Sequence, residues 1–258
     1  MPPWGPERRA AAVAVAFAGI GTPAPEHPVT PALPTLLRVL SDRGLYATFF
    51  VEAEIAAAEP FALEMIGLSA NEAGLLAAPG APPAAGLAAV AEAGASARGL
   101  LLPDDAGPDP AAAAALRDAG ATYVALPTAL PRPGGGAAGG GGAAGGGGAA
   151  GGAAGGGGAA GEARPRPRER PLRAADGLVR LAVARAEGDP PGAFHLAFQA
   201  AVGATLQRGG LLAVALPAHR FERRDALDVL VESLDLVAGL RRAGRLWTPT
   251  LAELAAAA

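Results

Sequence analysis

Residues Arg43 to Val51 read RGLYATFFV, and this stretch decides the fold. Tyr46 to Val51 is aromatic and β-branched, as a strand buried on both faces should be. Gly44 just ahead of it is the natural stop for a helix. That helix is expected over Thr30 to Asp42: Thr30 can cap it, Pro31 takes its first position, and Leu33, Leu36, Leu37 and Leu40 fall on one face. Before the helix, Ala12 to Phe17 forms a short apolar run of strand length. Strand, helix, strand in this order is the unit of parallel α/β architecture.

The pattern continues along the chain. Ile55 to Ile66 is expected to be helical, with Pro60 a candidate kink, and Asn71 to Pro83 carries only weak signals. Ala84 to Ala93 is a helix ended by Gly94, and Ala97 to Leu102 a strand closed by Pro103. Asp109 caps a helix through Ala119 with Gly120 as its stop, and Thr122 to Leu126 is a strand. Further on come a strand at Leu178 to Ala184, a helix at Ala193 to Gln207, a strand at Leu211 to Leu216, a helix at Arg223 to Arg242 and a closing helix at Leu251 to Ala257. About seven strand–helix pairs imply an α/β fold, a distorted (β/α) barrel in a single domain over 1–258.

One segment departs from this rhythm. Gly134 to Gly161 contains only Gly and Ala, which offer almost no side-chain area to bury against the entropy of ordering the chain. It is followed by EARPRPRERPLR, Glu162 to Arg173, where five Arg alternate with three Pro. We expect 134–175 to be a disordered insertion, tolerated because loop-closure entropy grows only logarithmically with length.

Bulk composition excludes several classes. Net charge is −3, so nucleic acid is not an expected partner. There is no cysteine, which removes disulfides, thiolate metal sites and Cys nucleophiles. All 21 basic residues are Arg, a bias that accompanies the abundance of Ala, Gly and Pro. No stretch reaches the 18 or more apolar residues of a membrane span. A cytoplasmic location is the default expectation. The alternative is export, with residues 1–24 as a signal peptide starting at Arg8 and Arg9, but Ala11 to Phe17 fits a core strand better.

Three segments place the chain near a known family. RGLYATFFV and the later LRDAGATYVAL (Leu116 to Leu126) resemble scaffold segments of the polysaccharide deacetylases, the NodB-type carbohydrate esterase family 4. WTPTLAE, Trp247 to Glu253, resembles the allantoinase-like branch. The resemblance implies a barrel that binds a divalent metal such as zinc and hydrolyses an amide C–N bond. It also places the family's functional positions on this chain. The motif T-F-D-D-G corresponds to Ala16, Phe17, Ala18, Gly19 and Ile20, so Ala18 and Gly19 occupy the carboxylate positions. The motif G-H-E-x-G-x-H corresponds to Ala70 through Leu76, with Glu72 and Gly74 matching and with Leu76 and Gly80 at the two imidazole positions. The arginine motif corresponds to Gly99 through Pro103, with Leu101 in place of Arg. Neither a carboxylate nor an imidazole remains at these positions, so no metal or other cofactor is expected.

The remaining polar candidates are few. Asp104 and Asp105 follow the third motif but sit in D-D-A-G-P, a strong turn former. His219 lies two residues beyond Pro217, close to the position of the family's C-terminal His, and Glu72 is a further candidate. Phe17, Asn71 and Pro217 are expected to line the cleft. Glu54 is expected as a helix N-terminal charge. His27 and His219 share a barrel face, and His195 is expected to pack beside Phe194 and Phe198. The expectation is a pseudoenzyme that binds a glycan or small molecule or acts as a regulatory protein. The alternative is a hydrolase of non-peptide C–N bonds with a relocated site. Oligomeric state is open.

Overall fold

The computed structural model describes residues 9, 11–21, 29–130, 171–186 and 190–258. Strands β1 (Ala11–Ala18), β2 (Thr48–Glu52), β3 (Glu72–Leu76), β4 (Gly99–Leu101), β5 (Tyr123–Ala129), β6 (Leu172–Arg173), β7 (Val179–Arg185), β8 (Leu211–Pro217) and β9 (Leu246–Trp247) alternate with helices. These are α1 (Ala32–Ser41), α2 (Ala53–Ala58), α3 (Pro60–Leu68), α4 (Pro83–Glu92), α5 (Pro110–Asp118), α6 (Pro191–Arg208), α7 (Arg224–Arg242) and α8 (Leu251–Ala256). Seven parallel strands close a ring in the order β1, β2, β3, β4, β5, β7, β8 and back to β1. The barrel expected from the strand–helix rhythm is present.

Strand pleating sorts the side chains. Along β1, Ala12, Ala14, Ala16 and Ala18 face the barrel interior with Phe50, Leu101, Tyr123, Val179, Leu181, Val183, Ala213 and Ala215. The alternate residues, Val13, Val15 and Phe17, join the layer between strands and helices with Leu33, Leu36 and Leu40 of α1. Phe17 stacks on Phe49 at a centroid distance of 5.1 Å and meets Phe221 edge-on at 5.9 Å. Helix α8 plugs the N-terminal end of the barrel with Leu251, Leu254 and Ala255. Thr250 and Glu253 start it with a reciprocal capping box.

Two interior glycines make the ring possible. A Cβ on Gly99 would lie 2.0 Å from the Tyr123 ring, and one on Gly74 would lie 2.9 Å from the Phe50 ring. The two large rings occupy volume that neighbouring strands vacate.

Three expectations need correction. The segment Asn71 to Pro83, weak in sequence, contains β3, because Thr48 to Glu52 pairs residue for residue with Glu72 to Leu76 and overrides the low strand propensity of Ala73 and Gly74. The single helix expected over Ile55 to Ile66 is broken at Glu59 (φ −132°, ψ 66°) into α2 and α3. The residue before a proline is disfavoured in the α region, so Pro60 begins a new helix. Within the expected insertion 134–175, Leu172 and Arg173 form β6, antiparallel to Arg180 and Val179. They fill the edge of β7 that β8 reaches only at Ala184 and Arg185. Residues 131–170, with the Gly/Ala tract, lie outside the described residues.

These contacts set opposite expectations for two glycines. Gly99→Ala should destabilise the protein by about 1–3 kcal/mol through overpacking against Tyr123. Gly203→Ala, inside α6 with nothing within 4 Å of the added carbon, should stabilise it by about 0.5–1 kcal/mol. Denaturant midpoints of the two variants check the pair, and equal shifts of the same sign would contradict the interior assignment.

Candidate functional site at the barrel mouth

The C-terminal ends of the strands surround an open depression of about 470 Å³. Ala18 and Gly19 at the end of β1, Leu76 at the end of β3, and Ala215 and Pro217 on β8 form its apolar wall. Arg185, His219 and Arg220 supply its polar lining. Each polar residue is placed by the fold. Val179, Leu181 and Val183 face inward on β7, and Arg185 is the next position of that row, ending the strand. His219 and Arg220 lie in a single 3₁₀ turn, Ala218–Glu222, directly after β8. Buried Ala218 and Phe221 anchor that turn, and Arg220 donates from Nη1 to the Ala186 carbonyl at 2.8 Å. Glu52, which ends β2, turns its carboxylate to the backbone and accepts from the Gly21 amide at 3.2 Å.

The residues singled out from the sequence divide into three groups. Ala18, Gly19, Leu76, Pro217 and His219 are brought together at the depression. Leu101 belongs to the same barrel but is fully buried inside it, with Phe50 and Tyr123, while Gly80 sits in an exposed turn at φ +76°. Asp104 and Asp105 are exposed, and Asp104 closes a turn by accepting from the Ala106 amide at 3.2 Å. Glu54 falls in the first turn of α2. His195 does more than pack: its Nδ1 lies 2.9 Å from Ser233 Oγ, tying α6 to α7, beside the paired rings of Phe194 and Phe198. His27 lies outside the described residues.

Three residues expected at the site lie elsewhere. Phe17 does not line the cleft: strand parity points it outward, between Phe49 and Phe221. Asn71 does not either, since it precedes β3 at the opposite end of the barrel. Its Oδ1 accepts from the Ala47 amide at 2.8 Å and its Nδ2 donates to Ser69. Glu72 begins β3 at that same far end, where its side chain joins the strands to α8. It accepts from Thr48 Oγ1 at 2.7 Å, from the Tyr123 hydroxyl at 2.7 Å and from the Ala252 amide at 2.9 Å. Thr48 Oγ1 in turn accepts from the Leu251 amide at 3.0 Å. Burial raises the Glu72 carboxyl above its usual 4.5, against the opposing pull of those hydrogen bonds. Burial, and then the neighbouring Glu72 charge, hold the Tyr123 phenol well above 10.

Sequence reasoning missed Arg185 and Arg220. Arg185 was legible in principle, because extending the alternation of RLAVAR places it in register with the inward Leu181 and Val183. Arg220 was not, since only the 3₁₀ turn brings it over the mouth.

The described side chains at the mouth do not form a donor set that suits a divalent cation. The described lining side chains offer one imidazole and two guanidiniums, and a guanidinium has no lone pair to give. Among the described residues, no three His, Asp or Glu side chains converge on a common point.

No protein-family profile matches the sequence, and no curated protein matches it either. Solved structures do. A protein assigned to the polysaccharide deacetylases from Mycobacterium smegmatis superposes with a TM-score of 0.70 at 15% identity, over 99% of this chain and 93% of that one. Puue allantoinase superposes with a TM-score of 0.65 at 11% identity, over 99% and 93%. A mutant of BA3943, described as a CE4 family pseudoenzyme with restored enzymatic activity, gives 0.52 at 11%, over 95% and 67%. The architecture is therefore the NodB-type barrel shared by polysaccharide deacetylases and allantoinase.

The Glu72 cluster yields a pH prediction. A carboxyl whose folded pKa is raised stabilises the fold fully below its unfolded value near 4.5, and that contribution is lost as pH rises through the folded value. The stability of Glu72→Gln should therefore fall less than that of the parent across the window just above pH 4.5, as read by denaturant midpoints. Tyr123→Phe, which removes one donor from this carboxylate, should lower stability by about 1.5–3 kcal/mol at neutral pH.

Proposed function

We propose that this chain is a polysaccharide-deacetylase-like barrel without the family's metal and catalytic chemistry, acting as a ligand-binding or regulatory pseudoenzyme. Its ligand, a glycan fragment or another small molecule, would occupy the barrel mouth. The observation that carries this reading is the lining: Ala18, Gly19 and Leu76 stand where the family resemblance puts two carboxylates and an imidazole, and they still face the depression. These three residues offer no side-chain lone pair for a cation, and the cavity they line has stayed open. The BA3943 relative of the same fold is itself described as a pseudoenzyme, so such a role has a precedent on this scaffold.

The hydrolase alternative draws less support. Of its four candidate residues, Asp104 and Asp105 are turn residues in solvent and Glu72 is locked at the opposite end of the barrel. Of the four, His219 alone faces the mouth, and among the described lining residues it has no carboxylate or nucleophile beside it, which makes the imidazole a weak base for amide hydrolysis.

Calorimetric titration of the full chain with zinc, together with a deacetylation assay on N-acetylglucosamine oligomers, tests the proposal. We expect no one-to-one zinc isotherm and no acetate release above buffer. One zinc per chain with turnover abolished by a chelator would overturn it.

A further inference from the structure

We infer that the barrel mouth takes the aliphatic part of a small ligand, seated against an apolar bay formed by Ala18, Leu76, Ala215 and Pro217. This rests on the ligand-binding reading above and deepens it by naming the ligand's chemistry: a short alkyl group, not the face of a sugar.

The bay is a product of strand register. On β1 the inward row ends with Ala16 and Ala18, and on β8 it ends with Ala215 and Pro217. The two strands pair Ala16 with Ala215 and Ala18 with Pro217. Four small side chains therefore lie together on one side of the inner wall, and three of them line the depression. Leu76, which ends β3, packs against the same inner layer and also lines it. Gly19 follows β1 at φ +68° and carries no side chain into the space. The interior farther round the ring is filled by Phe50, Leu101 and Tyr123. The open volume of about 470 Å³ lies on the alanine side and is of ordinary size for a small-molecule site.

The side chains of the bay present only methyl and methylene groups. Water held against them finds few polar partners, and an alkyl group that displaces such water gains affinity. Arg185, His219 and Arg220 occupy the remaining side of the lining, and Arg220 is engaged by the Ala186 carbonyl. An alkyl group asks no bond of any of the three.

The aromatic residues point the same way. The C–H face of a sugar ring packs well on the electron-rich face of an aromatic side chain. The chain has seven Phe, two Tyr and two Trp. Every Phe and both Tyr are among the described residues, and none lines the depression. Trp247 lies in β9 beside Ala12, at the far end of the barrel, and Trp4 is outside the described residues.

The full chain should be titrated with butanol, hexanol and octanol by ligand-observed NMR, with an N-acetylglucosamine oligomer in parallel. We expect one saturable alkanol site per chain, with affinity rising about fourfold for each added methylene. Ala18→Leu, which fills the bay, and Leu76→Asn, which makes its wall polar, should each weaken hexanol about tenfold or more. Phe61→Ser, on the exposed face of α3, should leave hexanol binding unchanged. Melting curves show whether each variant is folded. If Ala18→Leu is not, Leu76→Asn and the chain-length series decide. Absence of saturable alkanol binding, affinity independent of chain length, or affinity unchanged in the bay variants overturns the inference. So does a Phe61→Ser effect as large as theirs. Binding of the oligomer without any alkanol would sink the inference while leaving the ligand-binding reading intact. One zinc per chain with chelator-sensitive turnover would defeat that reading itself, whatever the alkanols do.

Discussion

Strand β1 lies at the seam of the barrel and holds it closed. Ala12 to Ala18 pairs along its whole length with Leu211 to Pro217, and Ala16 to Ala18 pairs on the other side with Thr48 to Phe50. Because side chains alternate with a period of two, this register fixes which residues face the interior around the ring, and a slip by one would exchange Phe17 for Ala18 at the mouth. The interior that results is narrow and alanine-rich near β1 and β8, and filled by Phe50, Leu101 and Tyr123 on the other side. Glycine at 74 and 99 is the complement of those two aromatic rings. The same register carries each inward row upward until it ends at the mouth, where Ala18, Leu76, Arg185 and Pro217 meet.

The two ends of the barrel have diverged in character. At the N-terminal end, Glu72, Thr48 and Tyr123 form a hydrogen-bonded cluster that receives the first amides of α8. Every partner is satisfied there, and the polar groups serve cohesion. At the C-terminal end the described lining is apolar but for Arg185, His219 and Arg220, and the space is open. Barrel proteins place binding at this end because the strand-to-helix loops can change without disturbing the ring. The residues at 18, 19 and 76 illustrate that independence: small or aliphatic side chains line the mouth while the ring beneath them stays closed.

Much of the architecture was legible because its signals are local. The leucines of α1, the Asp109 cap, and Gly44, Gly94 and Gly120 at positive φ are all written in short stretches of sequence. Strand β3 was not, since Glu-Ala-Gly-Leu-Leu has little strand propensity and owes its conformation to partners on both sides. The site was harder for the same reason. Ala18, Gly19 and Leu76, singled out by family spacing, line the mouth, whereas Asn71 and Phe17 do not, because their direction depends on strand parity and on which end of the barrel they occupy. Arg220 depended on a 3₁₀ turn with no sequence signature of its own.

The central claim is that the mouth of this barrel keeps an open cavity whose described lining does not hold a divalent cation. The most direct measurement is anomalous diffraction from crystals of the full chain soaked with zinc, recorded at the zinc absorption edge. A depression with no zinc peak is the predicted result. A zinc peak bounded by Ala18, Gly19 and Leu76 would contradict it.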